Sequence, residues 1–253
     1  MTDRKVAIVT AAAGAGIGAA ISRRLAKDGF DVVVTDAHER RSREFAGKLK
    51  DEFGRSFLAV PLDVSNEAAV KECMSTVRSE KGRIDVLINN AGWSKIAPIA
   101  EMDLSDWQRC LDIDLTGTFL CMRYALPHMI DGGRGGAIVN ISSISAFEMT
   151  AEHGAAYSAA KAGQLALTRV GAAENGKHKI RVNAVAPGLI YNDFLRKIYP
   201  PEFFEGYVQN RSLVGRVGQP EDVASLTSFL VSEEAGYITG EVYGVSGGVC
   251  PHV

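Results

Sequence analysis

The stretch AAYSAAKAG, residues 155–163, sets Tyr157 and Lys161 four residues apart among alanines and other small side chains. Alanine favours a helix, and at that spacing the phenol and the ammonium fall on one helix face. A carboxylate at the same spacing would be the ordinary partner for the lysine, and the segment has none. Two readings follow: a packing helix with one tyrosine tip and one snorkelling lysine, or a site where both polar groups must stay uncovered.

A second group lies near the N-terminus. TAAAGAGIG, residues 10–18, follows the apolar run VAIVT and opens a helical pattern. Strand, glycine loop and helix N-terminus in that order make a phosphate site, because backbone N–H groups point outward and the helix dipole favours negative charge. The loop residues Ala12, Gly14, Gly16, Ile17 and Gly18 are the candidates. Asp36 ends the next apolar run eighteen residues past Gly18, close to the roughly 20-residue offset of an acid that binds a ribose 2′-hydroxyl. NAD is therefore the expected cofactor, since a carboxylate repels the 2′-phosphate of NADP. Arg40 and Arg41 follow closely and keep NADP open, and the alternative role for Asp36 is a helix N-cap.

The rest of the chain must position these groups. Apolar, Val- and Ile-rich runs at 6–10, 31–35, 57–64, 85–92, 136–143, 180–187 and 241–248 read as strands buried on both faces. Helical patterns lie between them at 17–28, 39–53, 66–80, 104–130, 155–175 and 220–232. The alternation predicts an α/β fold: one doubly wound Rossmann domain over 1–253, with a seven-stranded parallel sheet and helices on both faces. The interval 192–216 breaks the rhythm; it is aromatic-rich, carries Pro200–Pro201 and reads as a lid.

In order, the glycine loop, the NNAG of Asn89–Gly92, Ser142 and Ser143 on a strand, the YxxxK of Tyr157–Lys161 and the PG of Pro187–Gly188 resemble the short-chain dehydrogenase/reductase family over essentially the whole chain. The resemblance implies an NAD(P)-dependent oxidoreductase that interconverts a ketone and a secondary alcohol. It makes Tyr157 the general acid/base, with Lys161 and a cationic nicotinamide lowering a phenol pKa that is ordinarily near 10. It makes Ser143 the residue that holds the substrate oxygen, with Ser142 and Ser145 as neighbouring alternatives. By position it also assigns Asp63 and Val64 to the adenine end, Asn90 and Gly92 to the adenosine side, and Pro187, Gly188, Ile190 and Asn192 to the nicotinamide. The residues alone suggest a strand-end cap for Asp63 and a turn for Asn90. Family members usually associate through their long helices, here 104–130 and 155–175, which implies a homotetramer, with a homodimer second.

Three positions depart from the family pattern. The loop has one residue more than TGxxxGxG, so the first glycine position falls on Ala11 or Ala12. A positive φ at alanine costs on the order of 1 kcal/mol, which points to Gly14 as the residue that takes the turn. Asp114 in DLTG stands where the family has an asparagine, whose main-chain carbonyl holds a water in the relay beyond the lysine. A backbone role survives that change, the carboxylate can instead stabilise charged Lys161, and a plain helix-surface aspartate is the third reading. Asn192 replaces the usual threonine five residues after Pro187 and still has a donor for a carboxamide.

The 253 residues are 46% hydrophobic and 23% charged, with a net charge of −2. That balance gives no electrostatic reason to expect nucleic acid or an anionic membrane as partner. No apolar run is long enough to span a bilayer, and the N-terminus has no signal-peptide pattern, so the cytoplasm is expected. Cys73, Cys110, Cys121 and Cys250 are scattered without metal-ligand spacing, so no metal is expected. Trp93 and the lid aromatics Phe194, Tyr199, Phe203, Phe204 and Tyr207 suggest a small-molecule substrate that is apolar or bulky. Acyl-thioester or steroid compounds, and hence lipid or steroid metabolism, are the leading expectation; a sugar or polyol is second. Arg196 and Lys197 suit a carrier phosphate or a solvated face. The rival from another class, a catalytically silent cofactor-binding sensor, would be expected to lose the tyrosine or the lysine.

Overall fold

A computed structural model describes residues 4–148, 154–192, 195 and 199–250 of the chain. Its apolar runs form strands β1 (Val6–Val9), β2 (Asp31–Asp36), β3 (Leu58–Pro61), β4 (Val86–Asn89), β5 (Gly136–Ile141), β6 (Ile180–Pro187) and β7 (Val242–Val245). They pair in parallel in one sheet of order β3-β2-β1-β4-β5-β6-β7. Every residue of β1, β2 and β4 is buried, which is why these runs are apolar throughout and do not alternate.

Helices α1 (Ile17–Lys27), α2 (Glu39–Phe53) and α8 (Pro220–Val231) cover one face; α3 (Glu67–Lys81), α5 (Gly117–Gly132) and α6 (Gly154–Asn175) cover the other. Successive strand residues serve opposite layers. Ala7 and Val9 join Ile21 and Leu25, whereas Val6 and Ile8 join Met74 and Cys121. Local signals set the helix ends: Asn66 caps α3 by accepting the Ala69 N–H at 3.1 Å, and Gly82 ends it at φ +75°. Pro220 opens α8 behind a Gln219–Asp222 capping box.

Two expectations change. The helix expected over 104–130 is α4 (Leu104–Leu111), a π-helical turn over Asp112–Thr116, and α5, which contains Pro127. The widened turn inserts backbone at Asp114 without stopping the helix. The 192–216 interval contains a helix, α7 (Pro201–Asn210), whose first residue is the second of the two prolines. Phe194, Arg196 and Lys197 lie outside the described residues.

After β3 the chain crosses back to lay β4 beside β1, so the strand order reverses between them. The carboxyl ends of β1 and β4 flank that switch point, where open α/β sheets bind ligands.

Candidate functional site

At the end of β1, the Thr10 hydroxyl oxygen accepts the N–H groups of Asn90 (2.8 Å) and Ala91 (2.9 Å). In return Asn90 Nδ2 donates to the carbonyls of Thr10 (3.0 Å) and Ala11 (3.2 Å). The glycine loop and the end of β4 are thus one platform. Ala11 itself takes a left-handed φ of +48°, and Gly14 takes +145°. The expectation that Gly14 would relieve the alanine is therefore corrected: both residues carry the turn. Ala12 turns inward, fully buried, with its N–H donated to the Thr35 carbonyl at 2.8 Å, so that N–H is not available to a phosphate.

Gly16 is the N-cap of α1, with no side-chain cap and no acidic residue in the first turn. The first N–H groups of that helix therefore face no competing side chain. A Cβ on Gly18 would sit 2.5 Å from both the Ala11 carbonyl oxygen and Asn90 Nδ2, so only glycine lets loop and helix approach this closely. This cradle fits a dinucleotide pyrophosphate.

Asp36 is buried at the end of β2. It is not the cap of α2, whose N-cap is His38, although its Oδ1 accepts the His38 N–H at 3.0 Å. Its Oδ2 lies 3.7 Å from the Arg41 guanidinium, which also donates to the Ala13 carbonyl at 2.9 Å. Arg41 therefore reaches the loop, whereas Arg40 pairs with Glu44 on the helix surface. Asp63 is exposed and accepts the Ser65 N–H (3.0 Å) and hydroxyl (2.7 Å), the geometry of a strand-end cap. Val64 is buried against Gly117.

Ser142 and Ser143 follow β5. The Ser142 hydroxyl donates to the Lys161 carbonyl at 2.9 Å, and Ser143 is hydrogen-bonded to Tyr157, with its Oγ 3.1 Å from that of Ser145. Lys161 is buried on α6; its Nζ donates to the Ile141 carbonyl at 3.0 Å and lies 5.3 Å from the Tyr157 ring centroid. The same Nζ forms an ion pair with Asp114 Oδ1 at 3.0 Å. Asp114 is fully buried, and its Oδ2 accepts the Trp93 N–H at 2.8 Å. The helix-surface reading of Asp114 is thereby overturned: the π-helical turn aims its carboxylate at α6. A Cβ on Gly92 would stand 2.9 Å from Asp114 Oδ1, so this glycine leaves room for the pair.

The electrostatics follow. Burial pushes the Tyr157 pKa up; the Lys161 charge and the Ser143 hydrogen bond oppose this, and Asp114 adds to it. The phenol is thus held towards its neutral form, opposite to the lowering expected from an ammonium alone. Burial by itself would lower Lys161, but the Asp114 carboxylate, by its charge and its hydrogen bond, leads the effects that outweigh it and raise the ammonium above its ordinary value. Burial likewise raises Asp114, against the pull of Lys161 and the Trp93 N–H.

A cleft of about 430 Å³ opens over Ser143, Tyr157 and Lys161, with Asn90, Gly92 and Pro187–Ile190 on its floor and Trp93, Leu195, Tyr199, Phe203 and Tyr207 around it. Asn192 also lines it; its Oδ1 accepts the Leu195 N–H at 2.9 Å, and its Nδ2 donates to the Ile190 carbonyl at 3.4 Å. The Tyr207 hydroxyl accepts the Leu189 N–H at 3.2 Å, tying α7 to the strand-end loop. Sequence reasoning missed Thr10, whose signal was a hydroxyl ending an apolar strand. It also missed the Arg211–Glu148 ion pair (2.7 Å) at the cleft wall, which no local pattern announces.

A glycine-rich loop at the switch point of a parallel sheet, opening onto a Ser–Tyr–Lys cluster, defines a Rossmann-type fold with an oxidoreductase-like site. A family model described as "Enoyl-(Acyl carrier protein) reductase" matches residues 11–250. The chain is 40% identical over 253 residues to the (5R,7aS)-5-hydroxy-7a-methyl-1-oxo-2,3,5,6,7,7a-hexahydro-1H-indene-carboxyl-CoA reductase of Mycobacterium tuberculosis, covering 100% of this chain and 94% of that one. It is 42% identical to the cis-4-hydroxycyclohexanecarboxylate dehydrogenase of Sinomonas cyclohexanicum, covering 96% of each. A crystal structure of a short-chain type dehydrogenase/reductase from Mycobacterium marinum superposes with a TM-score of 0.91 at 30% identity, covering 98% of this chain and 96% of that one. The chain belongs to the short-chain dehydrogenase/reductase family. It is an oxidoreductase that interconverts a ketone and a secondary alcohol with a cofactor of the NAD(P) type. No described helix is long and apolar enough to cross a membrane.

Proposed function

We propose that Ser143, Tyr157 and Lys161 carry this chemistry on an apolar or ring-bearing substrate, either an acyl thioester or a steroid-type ketone, with NAD as cofactor. The observation that carries the reading is the convergence of these three side chains on one cleft that is also lined by aromatic residues. The whole chain acts as one cofactor-binding unit, and the cytoplasm and lipid or steroid metabolism fit its composition and relatives. The carboxyl-CoA reductase and the cyclohexanecarboxylate dehydrogenase both carry ring compounds in their names.

Gly14, Gly16, Ile17 and Gly18 would receive the pyrophosphate on the start of α1, Asp36 the adenine ribose, and the Pro187–Ile190 segment the nicotinamide. Held there, the nicotinamide would supply the hydride in reduction or take it up in oxidation. Ser143 donates to the substrate oxygen and orients it. Tyr157 gives that oxygen its proton, so an O–H bond forms on the substrate and breaks on the phenol, and charged Lys161 stabilises the phenolate left behind. A tyrosine held protonated by burial is ready for this reductive direction. The Arg211–Glu148 pair supports a second reading, a hydroxylated or acidic substrate, because it offers both donors and acceptors at the cleft wall.

The test is oxidation of NADH and NADPH with a 3-oxoacyl-CoA, a steroid ketone, a ketose and an enoyl-CoA. Turnover with NADH on either of the first two is expected. Turnover on the ketose alone would install the second reading, and turnover on the enoyl-CoA alone would overturn carbonyl chemistry.

A further inference from the structure

The backbone carbonyl of Asp114 is already occupied. Gln164 Nε2 and the Thr118 hydroxyl both donate to it at 2.8 Å, which uses both acceptor positions of a carbonyl oxygen. A water relay anchored on that carbonyl would have to displace a side-chain donor that is itself fully buried. The Asp114 side chain, by contrast, points at the active site, with one oxygen on Lys161 and the other on the Trp93 N–H. Both members of the ion pair are out of water: Asp114 is 0% exposed and Lys161 3%. A buried ammonium without a counter-charge gives up its proton.

We propose that the Asp114 carboxylate, and not its main-chain carbonyl, is the positioning group that keeps Lys161 charged beside Tyr157. The inference rests on the proposed proton transfer and names the residue that maintains it. The other groups facing Asp114 cannot do this. Tyr157, from α6, is a phenol held protonated, and Cys110, from α4, is a thiol pushed up to about 12 by burial and the Asp114 charge.

Asp114→Asn keeps the backbone carbonyl and removes only the charge, so it separates the two roles. The first measurement is melting temperature between about pH 8 and pH 10. In the wild type Lys161 is held above its ordinary value, so its stabilisation is complete below about pH 10 and is lost as pH rises further. In Asp114→Asn the anion is gone, Tyr157 and Cys110 are held neutral by burial over this interval, and burial, the largest effect on Lys161, depresses the ammonium, so stability should rise across it. The double variant Asp114→Asn/Lys161→Met removes both charges and should melt above Asp114→Asn. If the single variant does not fold, the double variant should. The second measurement is the pH dependence of kcat, whose alkaline limb should move to lower pH in Asp114→Asn as Lys161 loses its charge earlier. Parallel melting slopes, a double variant no more stable than the single, or superimposable rate profiles would each overturn the proposal. The melting arms need no substrate, so they stand even if the reaction assigned above is wrong.

Discussion

Tyr157 meets opposed demands: burial and Asp114 favour the neutral phenol, while Lys161 and Ser143 favour the phenolate. Replacing it by phenylalanine keeps the ring that packs beside Lys161 and removes the hydroxyl that would give up the proton. Tyr157→Phe should therefore bind NADH as the wild type does, by cofactor fluorescence, and lose about 10²–10⁴-fold in kcat. Near-wild-type turnover would show that another group moves the proton. At the adenine end, Asp36 and Arg41 stand 3.7 Å apart with opposite preferences for a 2′-phosphate. Asp36→Ala leaves the guanidinium against the loop without its counter-charge. The NAD-over-NADP ratio of kcat/KM should then fall about tenfold or more, roughly 1.4 kcal/mol; an unchanged ratio would place discrimination elsewhere. The placing of Tyr157 beside Lys161 on one helix face was legible because their spacing is local. The burial of Asp114 was half legible, since Cys110, Asp114, Thr118 and Cys121 share one helix face. Its partner was not, because Lys161 arrives on a different helix. The strain at Ala11 was illegible for another reason: intrinsic preference pointed to Gly14, and the Asn90 hydrogen bonds overrode it.

Among the elements, the loop between β1 and α1 depends on two glycines for different reasons. A methyl group on Gly18 collides with the Ala11 carbonyl and Asn90 Nδ2, whereas one on Gly16 meets nothing within 4 Å. Gly18→Ala should cost about 1–3 kcal/mol by urea denaturation, as forced overpacking does, and should weaken cofactor binding. Gly16→Ala changes an N-cap and should cost at most about 1 kcal/mol. Equal costs would mean that the close approach at Gly18 is not what fixes the loop. Element boundaries were readable where a local signal ends them: α2 runs over the expected 39–53 and stops at Gly54, which sits at φ +67°. The π-helical turn was not readable, because the apolar stripe continues through it and periodicity does not register one widened turn. In the lid, Pro200–Pro201 was itself a helix-start signal, masked by the aromatic density that follows.

For the whole molecule, strand runs separated by helices dictated a parallel doubly wound sheet, and with it the switch point where the glycine loop lies. What a single chain leaves open is the outer surface of its second helical layer. Leu104 on α4 is 79% exposed, Phe119 on α5 42% and Val170 on α6 54%. Each belongs to a helix that also carries or supports the Lys161–Asp114 pair, so association there would brace the site from outside. The exposed alanines of α6, Ala159, Ala162, Ala166 and Ala173, would let a partner helix approach closely. Light scattering at micromolar concentration should give four times the 27.1 kDa chain mass, or twice it if only one interface forms. Phe119→Glu with Val170→Glu should lower that mass while leaving the monomer folded, because neither residue belongs to the buried clusters. A wild-type monomer would remove the helix-face argument. An unchanged assembly in the double variant would move the interface to another surface.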